Sequence, residues 1–197
     1  MGKSERWKFD LCGGHVALDL ANTVGWRHTD RPIDHLQTYD ELVEFGGQTR
    51  LYSRARQIQL RAWAARTPAA ARRVFRRAIA LREALYRMFA SQARRTAPTV
   101  EDLAIFNREL SRMHLDPRYT WRWHAGDDAA DAILGTIARA AADLLTSPRR
   151  GNVRLCAADD CIWVFLDSSK NGSRRWCDMN QCGNRAKARR FYDRRNR

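Results

Sequence analysis

Four of the five cysteines fall late in the 197-residue chain in the pattern C-x4-C-x15-C-x4-C: Cys156, Cys161, Cys177 and Cys182. Two close thiol pairs separated by a medium loop are how a chain builds a tetrahedral zinc site, because each pair bends around the metal and the loop brings the pairs together. Four thiolates close the coordination sphere. The expected cofactor is therefore one structural Zn2+, with no open position for a water and no Lewis-acid catalysis. All five histidines, His15, His28, His35, His114 and His124, precede the cysteines, which speaks against a nuclease needing a histidine base beside the metal. Disulfides are the alternative reading. The opening "MGKSERWKFD" lacks the apolar centre of a secretory signal, so the expected compartment is the cytoplasm, where thiols stay reduced. No run is long and apolar enough to suggest a membrane span.

The segments around the cysteines say how they are positioned. "IWVFLD" (162–167) is a strand by composition, "SSKNGS" (168–173) holds the hairpin-turn pair Asn-Gly, and "RRWC" (174–177) reads as the return strand. After Cys182, "GNRAKARRFYDRR" has helix propensity. Cysteine turn, hairpin, cysteine and helix start follow the order of a treble-clef-like zinc finger. A segment this short needs such a cross-link, and zinc supplies roughly 10–16 kcal/mol of apparent free energy to small folds of this kind. In the last helix Ala188, Phe191 and Tyr192 are expected to pack on the hairpin. Arg185 and Arg189 would flank that side, with Lys187, Arg190 and Arg194 on the far face. Arg174 and Arg175 add charge from the return strand. Residues 183–197 carry seven basic side chains against one acid, Asp193, whereas a merely solvated face mixes signs. Arg174, Arg175, Arg185, Lys187, Arg189, Arg190 and Arg194 are the candidate nucleic-acid contacts, to double-stranded DNA first.

The charge of the whole chain points the same way. Net charge is +14, and it is concentrated in two blocks. Residues 50–95 hold 13 arginines and one acid, Glu83, and residues 151–197 hold 11 basic and 5 acidic side chains. A polyanionic partner is the simplest reason. Codon bias towards Arg and Ala is the other reading for the first block.

Before the cysteines the chain reads as mainly helical over residues 1–147. Thr38 and Glu41 form a capping box for a helix that Gly46-Gly47 should stop. Residues 54–65 read as another helix. Thr67-Pro68 opens a long helix to about residue 94, with Val74, Ala78, Leu81, Leu85 and Met88 on one face. Thr99 caps a helix over 100–113, with Asp102 at the reciprocal position. "RYTWRWH" (118–124) reads as a strand, and Asp127 or Asp128 should cap a helix ending near Leu145. "SPRRGN" (147–152) marks a junction, with the finger module over 152–197. "GHVALDLANTV" (14–24) is a short helix or a buried strand. On a helix, His15, Asp19 and Asn22 would share a face, as a candidate ligand or partner site or as a buried polar cluster that caps its neighbours. The tryptophans are expected in the core, and Cys12 as an inert thiol.

"CGNR" (182–185), closing a C-x4-C pair, resembles the signature of the CGNR zinc-finger proteins, and "GHVALDLANTV" resembles the opening of the ABATE domain that usually precedes that finger. The resemblance covers nearly the whole chain. It implies Cys156, Cys161, Cys177 and Cys182 as zinc ligands and a role among stress-induced bacterial transcription regulators. Such a regulator would bind DNA through the finger and use the helical part as a sensor for a small-molecule effector, as a partner-binding module or in a homo-oligomer. An RNA-binding or ribosome-associated protein, and a protein-interaction module for an acidic partner, are the alternatives. No nucleophile–base pair, phosphate-cradling glycine loop or carboxylate dyad is legible, so no enzyme is expected.

Overall fold

The structure is a computed structural model that describes residues 9–123 and 130–195, the side chain of Trp123 excepted. Its axis is α4 (Pro68–Arg94), against which α1 (Val16–Ala21), α2 (Tyr39–Gln48), α3 (Arg54–Arg66), α5 (Val100–Leu110) and α6 (Ala132–Thr146) pack. The face expected from the 3.6-residue period is the buried one: Leu81, Leu85 and Phe89 sit among Leu18, Leu20, Phe45, Leu134 and Ile137. Each such side chain contributes about 1.5–3 kcal/mol on leaving water.

The caps follow the reading only in part: the box at Thr38 forms, whereas Thr67 starts α4 with no side-chain cap bond. The Thr38 hydroxyl accepts the Glu41 amide and Glu41 accepts the Thr38 amide. The Gly46-Gly47 pair does not stop α2, which runs on to Gln48. A Cβ at Gly46 would lie 2.4 Å from the Tyr52 ring, and one at Gly47 2.4 Å from Gln57. These glycines let the start of α3 approach closely. Asp102 does not reciprocate the Thr99 cap, because its carboxylate is taken by Arg87.

Among the described residues, three two-stranded antiparallel pairs complete the fold. β1 (Val24–Gly25) pairs with β2 (Ile33–Asp34), and β3 (Met113–Leu115) with β4 (Trp121–Trp123). β3 lies where the sequence suggested the end of a helix, and Asp116 organises the turn by accepting from the Arg118 and Thr120 amides. Asp127 and Asp128 lie outside the described residues. α6 starts at Ala132 behind Asp131, whose carboxylate pairs with Arg77 and Arg112 instead of capping. Trp26 and Trp121 are exposed, unlike the core positions expected for them.

β5 (Val153–Leu155) and β6 (Val164–Leu166) form the third pair, which corrects the hairpin expectation. The partner of β6 precedes it, and 174–177 is not a strand. Residues 171–172 do turn, with Gly172 at φ +58°, but the chain beyond is drawn to the cysteines. Arg174 N donates to the Asp167 carboxylate (3.1 Å) and Ala157 N to Arg175 O (2.8 Å). Val153, Val164 and Leu166 belong to the same apolar core as the helices. A π-helical turn (Met179–Gly183) leads into α7 (Asn184–Arg195).

Candidate zinc site and nucleic-acid interface

The loop joining β5 to β6 carries the first thiol pair. Cys156 N donates to Trp163 O (2.8 Å) and Cys161 N to Ala158 O (3.0 Å), which fixes a tight knuckle. The second pair is set by the π-helical turn, where Asp178 caps by accepting from the Asn180 and Gln181 amides. The four cysteines are buried, and their sulfurs all lie within 4.8 Å of one another. Cys161 and Cys177 sulfurs are 3.5 Å apart, and Cys177 and Cys182 sulfurs 3.6 Å. A tetrahedron with Zn–S bonds of about 2.3 Å has edges of roughly 3.8 Å, so the donor set fits one zinc with little adjustment. Two further groups face sulfur. Cys177 N donates to Cys156 Sγ (3.4 Å) and Arg185 Nη2 to Cys182 Sγ (3.3 Å), which suits thiolates carrying net negative charge around a divalent ion. When bound, zinc cross-links the knuckle to the start of α7.

The seven candidate cations divide into three groups. Arg174 is spent on the finger: Nε donates to Trp176 O (2.9 Å), Nη2 to Cys12 O (3.0 Å) and to Cys177 O, and the guanidinium lies 4.6 Å from the Phe165 ring centre. Arg185 and Arg189 both reach back to the knuckle, each taking one oxygen of Asp160 at 3.3 and 2.9 Å, and Arg189 also meets Asp159 at 3.5 Å. The remaining four are exposed. Arg175 stacks 5.5 Å from Trp176, and Lys187, Arg190 and Arg194 have no acidic partner among the described residues. The expected packing of Phe191 and Tyr192 on the hairpin is not found. α7 has no buried residue, and these rings are 57% and 63% exposed. The helix is held at its start by the cysteine turn and the Asp160 pairs, and from there it projects.

His15, Asp19 and Asn22 lie along α1 and its two caps, and each has a backbone partner; Asp19 and Asn22 line one small cavity, whereas His15 lies near Arg149 and Asp143. His15 caps the helix, its Nδ1 accepting the Ala17 amide (3.3 Å). Burial, with Arg149 nearby, lowers the imidazole pKa from its ordinary value. Asp19 accepts the Gly13 amide (2.8 Å), and burial raises its carboxyl to about 6. Asn22 Nδ2 donates to Val164 O (2.8 Å) while Val164 N donates to Asn22 Oδ1 (3.0 Å), so the side chain extends the β6 backbone ladder.

Two features escaped sequence reasoning. Cys12 packs against the zinc-site cluster, although nothing in its spacing relates it to the other four. A cavity of about 200 Å3 lies beside the sulfurs, and Trp26, Ile33, His35, Trp163, Gln181 and Arg185 are among the residues that line it. Trp26 has a positive φ (51°), and no local sequence signal announces it.

Residues 14–148 match the ABATE family, described as "Putative stress-induced transcription regulator", and residues 152–195 match the CGNR zinc finger. Compared with curated proteins, the chain finds no match. No helix among the described residues is long and apolar enough to cross a membrane.

Proposed function

The chain belongs to the ABATE family and ends in a CGNR zinc finger, and from this we propose that it is a cytoplasmic transcription regulator whose finger presents α7 to double-stranded DNA. One observation carries the reading. The outward face of α7 holds Lys187 and Arg194, with Arg190 at its edge near Asp193, and none of the three forms an ion pair among the described residues, on a helix without a buried residue. An isolated helix of this length is marginal in water, and its charge suits phosphates. Arg175 extends the same positive surface, while Arg185 and Arg189 act first as struts to Asp160. His15, Asp19 and Asn22 are structural in this reading. The cavity between Trp26 and Trp163 is where a small-molecule effector of such a regulator would sit, next to Arg185 at the root of α7.

The test is a titration of the zinc-loaded chain with duplex DNA, structured RNA and heparin at several salt concentrations. Four phosphate contacts give a slope of log affinity against log salt of about −3.5 on duplex DNA. Converting Lys187, Arg190 and Arg194 together to alanine removes most of that slope and leaves zinc content unchanged. Tighter binding to structured RNA than to duplex would turn the assignment to an RNA-binding protein. An unaltered slope in the triple variant would move the contact elsewhere, to the exposed Arg72, Arg73 and Arg76 at the start of α4.

A further inference from the structure

α7 carries an aromatic ring where its free cations converge. Lys187, Phe191 and Arg194 stand at i, i+4 and i+7, and Arg190 borders the same face. Arg185 and Arg189 lie on the other side and are tied to Asp160, so the Phe191 side points away from the finger. The ring meets Tyr192 edge-on at 5.9 Å and the Arg195 guanidinium at 5.6 Å, and among the described residues it stays 57% exposed.

Three kinds of surface could cover this face, and their chemistry separates them. A second copy of the helix would set Lys187, Arg190 and Arg194 against themselves. An acidic protein surface would satisfy the cations but offers the phenyl ring nothing. The major groove of B-form DNA offers both: it is about 12 Å wide and admits a helix, its walls are phosphates, and its floor presents the thymine methyl. The minor groove, about 6 Å wide, does not admit a helix. The major groove of A-form RNA is too narrow for side chains to read, and uracil has no methyl.

Resting on the DNA-binding reading above, we infer that Phe191 is a base-reading residue that packs on thymine methyl groups. The finger would then prefer A·T pairs at the centre of its site, with Lys187, Arg190 and Arg194 on the flanking phosphates.

The experiment starts from duplexes selected out of a random-sequence pool by the full-length, zinc-loaded chain. These are resynthesised with deoxyuridine for thymidine, a change of one methyl per base. The wild-type chain is expected to bind the deoxyuridine duplex about three- to fivefold more weakly for each contacted methyl. Phe191→Ala should bind both duplexes alike and keep the wild-type salt slope. Tyr192→Ala should still discriminate. Because α7 has no buried residue, Phe191→Ala should keep its zinc and its circular dichroism, so a loss of discrimination cannot come from unfolding. Equal wild-type affinity for both duplexes, with salt-dependent binding intact, would overturn this inference alone, and so would discrimination that survives in Phe191→Ala. Absence of salt-dependent duplex binding would overturn the regulator reading beneath it, and this inference with it.

Discussion

Along α4 the guanidinium groups of Arg77, Arg82 and Arg87 turn to carboxylates on other elements, whereas along α7 Lys187, Arg190 and Arg194 form no ion pair among the described residues. Arg77 spans Glu109 on α5 and Asp131 before α6, Arg82 holds Asp34 with both terminal nitrogens, and Arg87 takes Asp102. Three of these partners are buried, Asp131 at 1% exposure, Asp102 at 1% and Glu109 at 3%, whereas Asp34 is partly exposed and it is Arg82 that is buried. Arg61 on α3 likewise pairs with Asp40 and Glu44 of α2. Four of the thirteen arginines at 50–95 are thus answered by acids from the flanking segments and fasten elements to one another. The other nine, exposed Arg72, Arg73 and Arg76 among them, form no ion pair among the described residues. The finger has few acids to offer, and Asp159 and Asp160 engage only the inner pair of α7. Local charge density therefore says little about an interaction surface until its counter-charges are located in three dimensions.

The comparison can be tested first at the metal. Cys182→Ser removes a ligand at the root of α7 and with it most of the roughly 10–16 kcal/mol that zinc contributes to such a site. The expected result is a chain without stoichiometric zinc, with fast amide exchange over 153–195 and no duplex affinity. One zinc per chain retained in that variant would point to Cys12, the adjacent thiol, as a replacement ligand.

Adjacent arginines on α4 give the next contrast. Arg77→Ala leaves Glu109 without its cation and Asp131 with Arg112 alone, at a cost of about 3–5 kcal/mol in urea unfolding. Arg76→Ala, exposed and with no ion pair among the described residues, should change stability by less than about 0.5 kcal/mol. Equal losses would mean that the two arginines are not used differently.

Asp19 is a buried carboxylate with no ion pair among the described residues. Its folded-state pKa of about 6 lies above the ordinary 3.8, so the folded chain holds the proton more tightly than the unfolded chain. Its stabilising share is complete below about pH 4 and is lost as pH rises through 6. At pH 7 Asp19→Asn, which still offers an oxygen to the Gly13 amide, should be more stable by about 1–3 kcal/mol. That advantage should fade as the two proteins are compared at lower pH, and an advantage independent of pH would rule out burial of the charge as its cause.

Asp160→Asn should have the smallest effect. It releases Arg185 and Arg189, steepening the salt slope on duplex DNA by about one to two and raising low-salt affinity a few-fold, with stability changed by under about 1 kcal/mol. Weaker binding would show that the two pairs aim α7 and do not merely occupy its cations.

What the sequence disclosed follows from the range of the forces involved. The four sulfurs were legible because ligand spacing is local and zinc tolerates few donor sets, and α4 because its apolar period runs through Val74 to Met88. The outward placement of Lys187, Arg190 and Arg194 followed from helical angle alone. The strand pairing was not legible: Asn171-Gly172 makes its turn, but Cys177 is committed to the metal, so 174–177 leaves the sheet and β5 becomes the partner of β6. Phe191 and Tyr192 have the composition of a packed face, and only the direction in which α7 leaves the finger shows that they face solvent. The ion pairs of α4 join residues up to 56 positions apart, as Arg27 to Glu83 does, and no window of sequence brings such pairs together.

The Asn22 side chain grips the Val164 peptide from both ends, the Trp163 indole donates to Val24 O (2.7 Å) and the Leu166 amide to Gly13 O (2.8 Å). The boundary between the two matched families thus runs through a seam of shared backbone. A gene fusion that moved residues 152–195 onto another body would carry off three valine and leucine side chains with no shelter and strip Asn22 of both its contacts. Recombination at that boundary is penalised by packing, and a transplanted finger would need residues 13–24 to travel with it.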